Sequence, residues 1–169
     1  MSTLAAPILA AFQIETAKTR TLLERVPEDK FGWRPHAKSM TLANLAGHIA
    51  ETPTWIDGFV IDVFDMGAEG QKYVPYVPKT RAALLETFDK NNADFLTKFG
   101  ALNDETLAGT WTMKAGGQVV WEAPRHAAIH DMMINHTIHH RGQLTVYLRL
   151  LDVALPPLYG PTADNPQGF

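Results

Sequence analysis

One stretch of the chain decides its fold, and it reads NHTIHHRGQ over residues 135–143. Within it, His136 and His140 stand four residues apart in a segment with strong helical character. Four residues of α-helix advance about 400°, so two side chains at this spacing leave the helix about 40° and one turn apart. The two imidazoles can therefore bind one metal ion, although pairs at this spacing are also common among hydrogen-bonded and surface histidines.

The residues around this pair predict which way it faces. The two histidines fall into a gap of an apolar stripe at helical spacing, formed by Ile129, Met133, Leu144, Tyr147, Leu148 and Leu151. Burying an imidazole costs free energy unless its nitrogens find partners, and a divalent metal satisfies both rings at once. Such a metal would need a third ligand.

A second helical segment offers that ligand. In residues 41–50, His48 lies on the same helix face as Leu45, Thr52, Trp55 and Phe59. Its imidazole is therefore expected to face inward as well. Three neutral imidazoles suit Zn²⁺, Ni²⁺, Co²⁺ or Fe²⁺, and three protein ligands leave coordination positions open for water or substrate. The expected site is catalytic in type.

The other four histidines are expected to lie outside this site. His126 and His130 form a second pair, but each stands ten residues, or about 15 Å of helical rise, from its counterpart in the first pair. We expect this second pair on the surface or facing a loop. His139 lies beside the ligand face and is expected to hydrogen-bond to a neighbour, and His36 lies in a loop that contains proline.

Length and composition indicate one domain over residues 1–169. Of the residues, 46% are hydrophobic and 20% charged, and the net charge is -3 without a basic block, which argues against a nucleic-acid surface. The chain has no cysteine, which removes thiolate ligands and a cysteine nucleophile and fits a cytoplasmic location. The start of the chain is predicted to be an amphipathic helix rather than a signal peptide, and no segment is long enough to span a membrane.

The spacing of apolar residues, together with residues that cap or break helices, predicts four long helices. The first runs from Leu4 to about Arg25, with Ser2 or Thr3 as its cap. The second starts at a Thr41 cap and runs to about Met66, with an irregularity near Pro53. The third runs from a Thr80 cap past Phe99, and the fourth from Pro124 to about Asp152. Loops are expected at 28–40 and 67–79, a β-hairpin at 110–121, and an extended tail lying over the bundle at 155–169. The fold class is therefore all-α: a four-helix bundle with a small β-hairpin insertion before the last helix.

Several of these segments together resemble a known family. The loop WRP (33–35), the segment LAGH (45–48), the run His136-x-x-x-His140-Arg-Gly-Gln and the tail YGPTAD (159–164) are similar to the DinB-like superfamily of metal-binding four-helix bundles. The resemblance covers nearly the whole chain. It implies that His48, His136 and His140 bind one divalent metal, Zn or Ni first and Fe, Co or Mn as alternatives.

The resemblance also implies a class of chemistry. Characterised members of this superfamily include S-transferases and isomerases that use bacillithiol, mycothiol or glutathione, whereas the family name implies no DNA chemistry. One interpretation is therefore a metal-dependent enzyme that acts on a small molecule by thiol transfer or hydrolysis. The alternative is a non-catalytic metal-binding protein of the stress response. Family members also often form homodimers.

Four further side chains are candidates for the surroundings of the metal. Trp55 on the second helix and Trp33 in the preceding loop could line a pocket, or serve as ordinary core aromatics. Glu51, three residues after His48, could act as a hydrogen-bond acceptor or base behind that histidine, or be a solvated surface residue. His139 is the fourth candidate, since it adjoins His140.

Overall fold

The computed structural model describes residues 3–68 and 73–168, and in this part of the chain four helical segments form a bundle. The helices are α1 (Ala5–Leu23), α2 (Leu42–Glu51), α3 (Ile56–Phe59), α4 (Arg81–Gly100), α5 (Asp104–Ala108), α6 (Arg125–Ile129) and α7 (His136–Leu150). A small sheet is formed by β1 (Val63–Asp65), β2 (Thr110–Ala115) and β3 (Gln118–Pro124). This architecture confirms the predicted bundle with a hairpin before its last helical segment. None of the helices described combines the length and apolar character needed to span a lipid bilayer.

Two predicted helix starts are confirmed by capping hydrogen bonds. The Thr41 hydroxyl accepts a hydrogen bond from the Asn44 N–H at 3.2 Å, and the Thr80 hydroxyl accepts one from the Ala83 N–H at 3.1 Å. Each bond satisfies one of the backbone donors that the first turn of a helix leaves unpaired. These caps fix where α2 and α4 begin.

The predicted cap of α1 is wrong for Thr3, while Ser2 lies outside the described residues. Thr3 donates hydrogen bonds to the Asp104 carboxylate from its N–H at 3.0 Å and from its hydroxyl at 2.9 Å. The same carboxylate also accepts from the Leu4 N–H at 3.0 Å. A side chain from α5 thus supplies the negative charge that the positive end of α1 favours. Because Asp104 is 101 residues from Thr3 in the sequence, this contact could not be predicted from neighbouring residues.

The second helix is much shorter than predicted. It gives way at Pro53 to a 3-10 turn (Thr52–Trp55), resumes briefly as α3, and ends at Phe59 instead of about Met66. The next residues form β1, which pairs in parallel with β2, so that Val63 stands beside Thr112. Proline lacks the N–H that an α-helix needs, and the β-branched and aromatic residues that follow suit a strand.

Asp65 completes this small sheet at its turn. Its carboxylate accepts hydrogen bonds from the N–H groups of Gly67, Gly116 and Gly117 at 2.7 to 2.9 Å. Gly116 and Gly117 have φ values of 60° and 81°, the left-handed conformation that a two-residue hairpin turn requires. The hairpin predicted over 110–121 is therefore confirmed, and β1 is the strand that was missed. Of the loop predicted at 67–79, residues 69–72 lie outside the described part of the chain.

The last helical segment contains a π-helical turn. It begins at Arg125, directly after Pro124 as predicted, widens to a π-helix over His130–Asn135, and continues as α7 to Leu150. A π-turn carries more residues per turn than an α-helix, so it rotates the side chains before it relative to those after it. His136 is the first residue of α7, immediately after this turn.

The core of the bundle consists of two apolar clusters. One lies toward the sheet and includes Phe12, Phe95, Phe99, Trp111 and Met133. The other lies toward the opposite end and includes Leu22, Leu45, Phe88, Leu144 and Leu148. In the last helical segment, His136 and His140 lie between Met133 and Ile134 of the first cluster and Leu144 of the second. The core residues of α2, which carries His48, belong to the second cluster.

A buried arginine ties the C-terminal tail to the bundle. Arg141 on α7 is 1% exposed, and its guanidinium donates hydrogen bonds to the Glu15 carbonyl at 2.9 Å, the Thr19 hydroxyl at 3.2 Å and the Glu15 carboxylate. It also bonds to the Tyr159 hydroxyl of the tail at 2.5 Å, and Lys18 lies 3.8 Å above the Tyr159 ring. The tail thus lies over α1 and α7, as expected, but bends and turns interrupt its predicted extended course.

Replacing this arginine should cost far more stability than replacing an exposed one. Arg141→Ala leaves the largely buried Glu15 carboxylate with only the more distant Lys18 ammonium, at 3.8 Å, as a counter-charge, and removal of one partner of a buried pair destabilises a protein by about 3–5 kcal/mol. Arg149→Ala is the matched control, because Arg149 pairs with Asp164 at the surface and exposed pairs contribute little. Urea denaturation of both variants measures the difference. Equal loss of stability in the two variants would contradict the role assigned to Arg141.

Candidate metal centre

The structure brings the three predicted histidines together. His48 comes from α2, and His136 and His140 come from the first two turns of α7. One side-chain nitrogen from each lies within 4.8 Å of the other two, and the Nε2 atoms of His48 and His136 are 3.0 Å apart. The His140 ring centroid is 4.6 Å from that of His48 and 4.4 Å from that of His136. Among the described residues, this is the one group of three or more such side chains that could hold a metal ion.

Glu51 lies behind His48, one helical turn along α2. Its Oε1 is 3.1 Å from His48 Nδ1, and the residue is only 7% exposed. The interpretation of Glu51 as a solvated surface residue is therefore wrong. Because a carboxylate oxygen accepts hydrogen bonds, Nδ1 of His48 carries the proton, and Nε2 presents its lone pair to the other two histidines.

Two tyrosines hold Glu51 in this position. The Tyr76 N–H donates to Glu51 Oε2 at 2.7 Å, and the Tyr73 hydroxyl donates to Oε1. Burial alone would raise the pKa of Glu51, but the hydrogen bonds from His48, Tyr73 and the Tyr76 backbone lower it overall. The carboxylate is therefore ionised at neutral pH. Desolvation of the Tyr73 hydroxyl, together with its hydrogen bond to Glu51, raises the pKa of Tyr73.

A glycine allows the backbone carrying these tyrosines to approach α2. A Cβ atom added to Gly47 would lie 2.1 Å from the Tyr76 carbonyl oxygen and 2.9 Å from Pro78. No side chain fits in that space, so glycine is required for the close approach. The glycine of the LAGH segment thus determines how Tyr76 reaches the carboxylate behind His48.

Gln143 repeats this arrangement on the other helix. Its Oε1 is 2.8 Å from His140 Nδ1, at the same three-residue spacing that joins His48 to Glu51. Its Nε2 lies 3.0 Å from His139 Nε2. The amide oxygen accepts from His140, which leaves Nε2 of His140 with its lone pair free, and the amide nitrogen donates to His139. His139 is exposed and has the hydrogen-bonded neighbour that was expected.

Burial keeps the imidazoles of His136 and His140 neutral. Desolvation, followed by the nearby His140 and His48, lowers the pKa of His136 to about 4. Desolvation also lowers the pKa of His140, although its hydrogen bond with Gln143 acts in the opposite direction. Only the neutral imidazole has a lone pair to offer a metal, so the buried position favours the ligating form at neutral pH.

The two candidate tryptophans lie in different places. The Trp55 ring lies 5.3 Å from the His48 ring and 5.0 Å from the His136 ring, measured between centroids. Trp33 instead packs edge-on against Tyr147 at 5.7 Å, in the apolar cluster at the far end of the bundle. Its carbonyl accepts a hydrogen bond from Leu42 N–H at 2.8 Å, which fixes the loop against the start of α2. The structure therefore places Trp55 beside the histidines and Trp33, partly buried, against the second apolar cluster.

The remaining histidines do not join the cluster. His126 and His130 line a separate cavity beside Pro7 and Trp121. His36 is exposed, and its Nδ1 accepts a hydrogen bond from the Lys38 N–H at 3.1 Å. These positions agree with the expectation that none of the three belongs to the site.

Sequence reasoning missed Gln143, Tyr73 and Tyr76. Gln143 carried a usable signal, because an acceptor three residues after an inward-facing histidine lies one helical turn away. The tyrosines carried none, since the loop that bears them reaches Glu51 only through the tertiary fold.

Comparison with known proteins agrees with this bundle. The family model of the DinB family matches residues 1–167, and the chain belongs to that family. It is similar to an uncharacterized protein, YrdA, of Bacillus subtilis strain 168, with 21% identity over 160 residues, which cover 93% of this chain and 89% of YrdA.

Two solved structures share the fold. A DinB-like protein from Bacillus cereus ATCC 10987 superposes with a TM-score of 0.69 at 22% identity, covering 90% of this chain and 95% of that one. The DinB-like protein YjoA from Bacillus subtilis gives a TM-score of 0.64 at 19% identity, covering 90% and 97%. At these identities the likeness supports the fold.

Glu51→Gln should weaken metal binding without removing any of the three histidines. The amide has half the acceptor capacity of the carboxylate and no charge, so it orients His48 less firmly, and loss of such a partner typically lowers metal affinity about 10–100-fold. Competition with a chromophoric chelator measures the affinity. The control is Glu86→Gln, an exposed glutamate on α4, which should change nothing. Unaltered affinity in Glu51→Gln would contradict this role.

Proposed function

We propose that the protein is a metal-dependent enzyme in which His48, His136 and His140 hold one divalent metal ion. The observation that carries this proposal is the convergence of three imidazoles, each with a nitrogen within 4.8 Å of the others. Nitrogen donors of this kind suit Zn²⁺ and Ni²⁺ first, and Fe²⁺, Co²⁺ or Mn²⁺ as alternatives.

The arrangement of neighbouring side chains favours an open coordination position. Glu51 bonds to the far nitrogen of His48, and Gln143 bonds to the far nitrogen of His140, so both lie behind the ligands rather than beside them. His139 is engaged with Gln143 at the surface. Three protein ligands with a vacant position are typical of catalytic rather than structural zinc sites.

The reaction we propose is transfer of a low-molecular-weight thiol to a small electrophile. A divalent metal at this site would act as a Lewis acid that lowers the pKa of an incoming thiol or water toward neutrality. The thiol sulfur bonds to the electrophilic carbon, the leaving group departs with the electron pair of its bond, and the thiol proton passes to water. Because the chain has no cysteine, the thiol must come from solution.

The chain's own residues would hold and orient the reactants. Glu51 and Gln143 fix the ring orientations of His48 and His140, and the Trp55 ring forms a wall beside His48 and His136. A cavity of about 690 Å³ reaches His48 from the side of α3 and the sheet. Its size is in the range of small-molecule sites, which supports a small-molecule substrate.

Metal content should follow the three histidines. Protein stripped with a chelator and reloaded should contain about one Zn²⁺ per chain, and His136→Ala or His140→Ala should abolish this binding because two imidazoles hold a metal far less tightly than three. His126→Ala is the matched control and should bind metal normally. Elemental analysis after gel filtration gives the stoichiometry. An empty His126→Ala protein together with a full His140→Ala protein would overturn the assignment.

Thiol binding and turnover test the enzymatic part of the proposal. In the Co²⁺-substituted protein, bacillithiol, mycothiol or glutathione should produce a thiolate-to-metal charge-transfer band, since the vacant position accepts sulfur. The same thiol should be consumed with a reactive electrophile, and His140→Ala should lose the activity. If neither a thiol nor another small added ligand changes the Co²⁺ spectrum, the protein is better described as a non-catalytic metal-binding protein.

A further inference from the structure

We infer that the cavity beside His48 binds the body of an uncharged, apolar substrate, such as one built on an aromatic ring. This inference rests on the proposed function for the role of that substrate, since it places the electrophilic end at the histidines. The cavity of about 690 Å³ runs from His48 past α3 to the sheet. It therefore has one imidazole end and one end formed by other side chains.

Those other side chains are mainly rings and thioethers. The apolar wall consists of Trp55, Phe59, Phe64, Trp111, Met66, Met113 and Met132. Aromatic faces and edges attract flat rings, and thioether sulfur makes favourable contacts with aromatic groups. Methionine also adapts its shape because it is unbranched and flexible. The wall therefore suits a class of related compounds rather than one rigid shape.

The polar atoms of two aromatic lining residues, Trp111 and Tyr73, are already used. The Trp111 indole N–H donates to the Gly58 carbonyl at 2.8 Å, so that ring presents hydrocarbon to the cavity. The Tyr73 hydroxyl donates to Glu51. Neither donor is free to bind a ligand without breaking an existing bond.

The remaining polar lining residues are also engaged with the protein. Asp57 forms an ion pair with Lys98, and the Asp57 side chain is 63% exposed. The Thr54 hydroxyl donates to the Glu51 carbonyl at 2.8 Å. Among the described lining residues, the polar groups left at this end of the cavity are the Trp55 indole N–H and His48 Nε2, which faces His136.

This distribution selects against a charged body in the cavity. A carboxylate placed against the apolar wall would lose hydration and gain no counter-charge from the described lining, which costs free energy. An aromatic ring at the same place would remove its own apolar surface and that of the wall from water, which is favourable. An uncharged ring therefore fits this cavity better than an acid of the same shape.

The first test compares two ligands of the same shape, one an uncharged amide and the other a carboxylate. The full chain, stripped of metal so that no ion attracts a carboxylate, is incubated with the uncharged dye 6-propionyl-2-dimethylaminonaphthalene, whose fluorescence rises in apolar sites. 1-Naphthaleneacetamide should displace the dye at a concentration about tenfold lower than 1-naphthaleneacetate, because the carboxylate resists desolvation. Equal displacement, or stronger displacement by the acid, would overturn the inference.

The second test locates the dye. The double variant Met113→Gln and Met132→Gln keeps the length of both side chains but places amides in the wall, and it should weaken dye binding about tenfold. Met40→Gln, at an exposed methionine that does not line the cavity, should bind as the unchanged protein does. Unchanged dye binding in the double variant would show that the dye does not bind in this cavity, and would overturn the inference. If the double variant fails to fold, the two naphthyl ligands still decide the question on the unaltered chain.

The two proposals fail in distinguishable ways. Dye binding and the preference for the amide need no metal, so they test the cavity alone. Protein that shows this preference but binds neither metal nor thiol would overturn the proposed function and retain an apolar binding cavity. Protein that binds metal and transfers thiol, but only to charged electrophiles, would retain the function and overturn this inference.

Discussion

Three imidazole rings meet between α2 and α7, and their partial burial is the constraint on which the surrounding structure depends. Neutral imidazoles in such a place need partners for both nitrogens, because a buried polar atom without a hydrogen bond or ligand costs free energy. The outer nitrogens of His48 and His140 are satisfied by Glu51 and Gln143. The inner nitrogens face one another, and that is where a metal ion would be held.

The same pairing of a histidine with a hydrogen-bond acceptor occurs on both helices, and contacts with other parts of the fold hold each pair in place. In each case a histidine is followed three residues later by an oxygen acceptor, so one helical turn sets both the tautomer and the orientation of the ring. On α2 the acceptor is a buried carboxylate, which is held by Tyr73 and by the Tyr76 backbone that Gly47 admits. On α7 the acceptor is Gln143, and the buried Arg141 anchors the helix against α1 and the tail.

Sequence periodicity predicted the bundle and the inward face of the three histidines because long helices repeat their apolar residues regularly. It failed at positions where the chain departs from a regular helix or depends on distant residues. β1 was hidden because residues 63–65 follow a helix-like pattern and find their partner strand only in β2, about fifty residues later. The π-turn before His136 left no periodic signal, and Trp33 differs from Trp55 only in how its loop folds back on the core.

The central claim is that three histidines bind one metal and leave a position for an external ligand. X-ray absorption at the zinc edge of the Zn²⁺-loaded protein tests it most directly. The account predicts imidazole nitrogens at about 2.0–2.1 Å as the protein ligands, with a sulfur appearing at about 2.3 Å when a thiol is added. A shell of four protein ligands that thiol leaves unchanged, or a zinc ion without imidazole scattering, would contradict it.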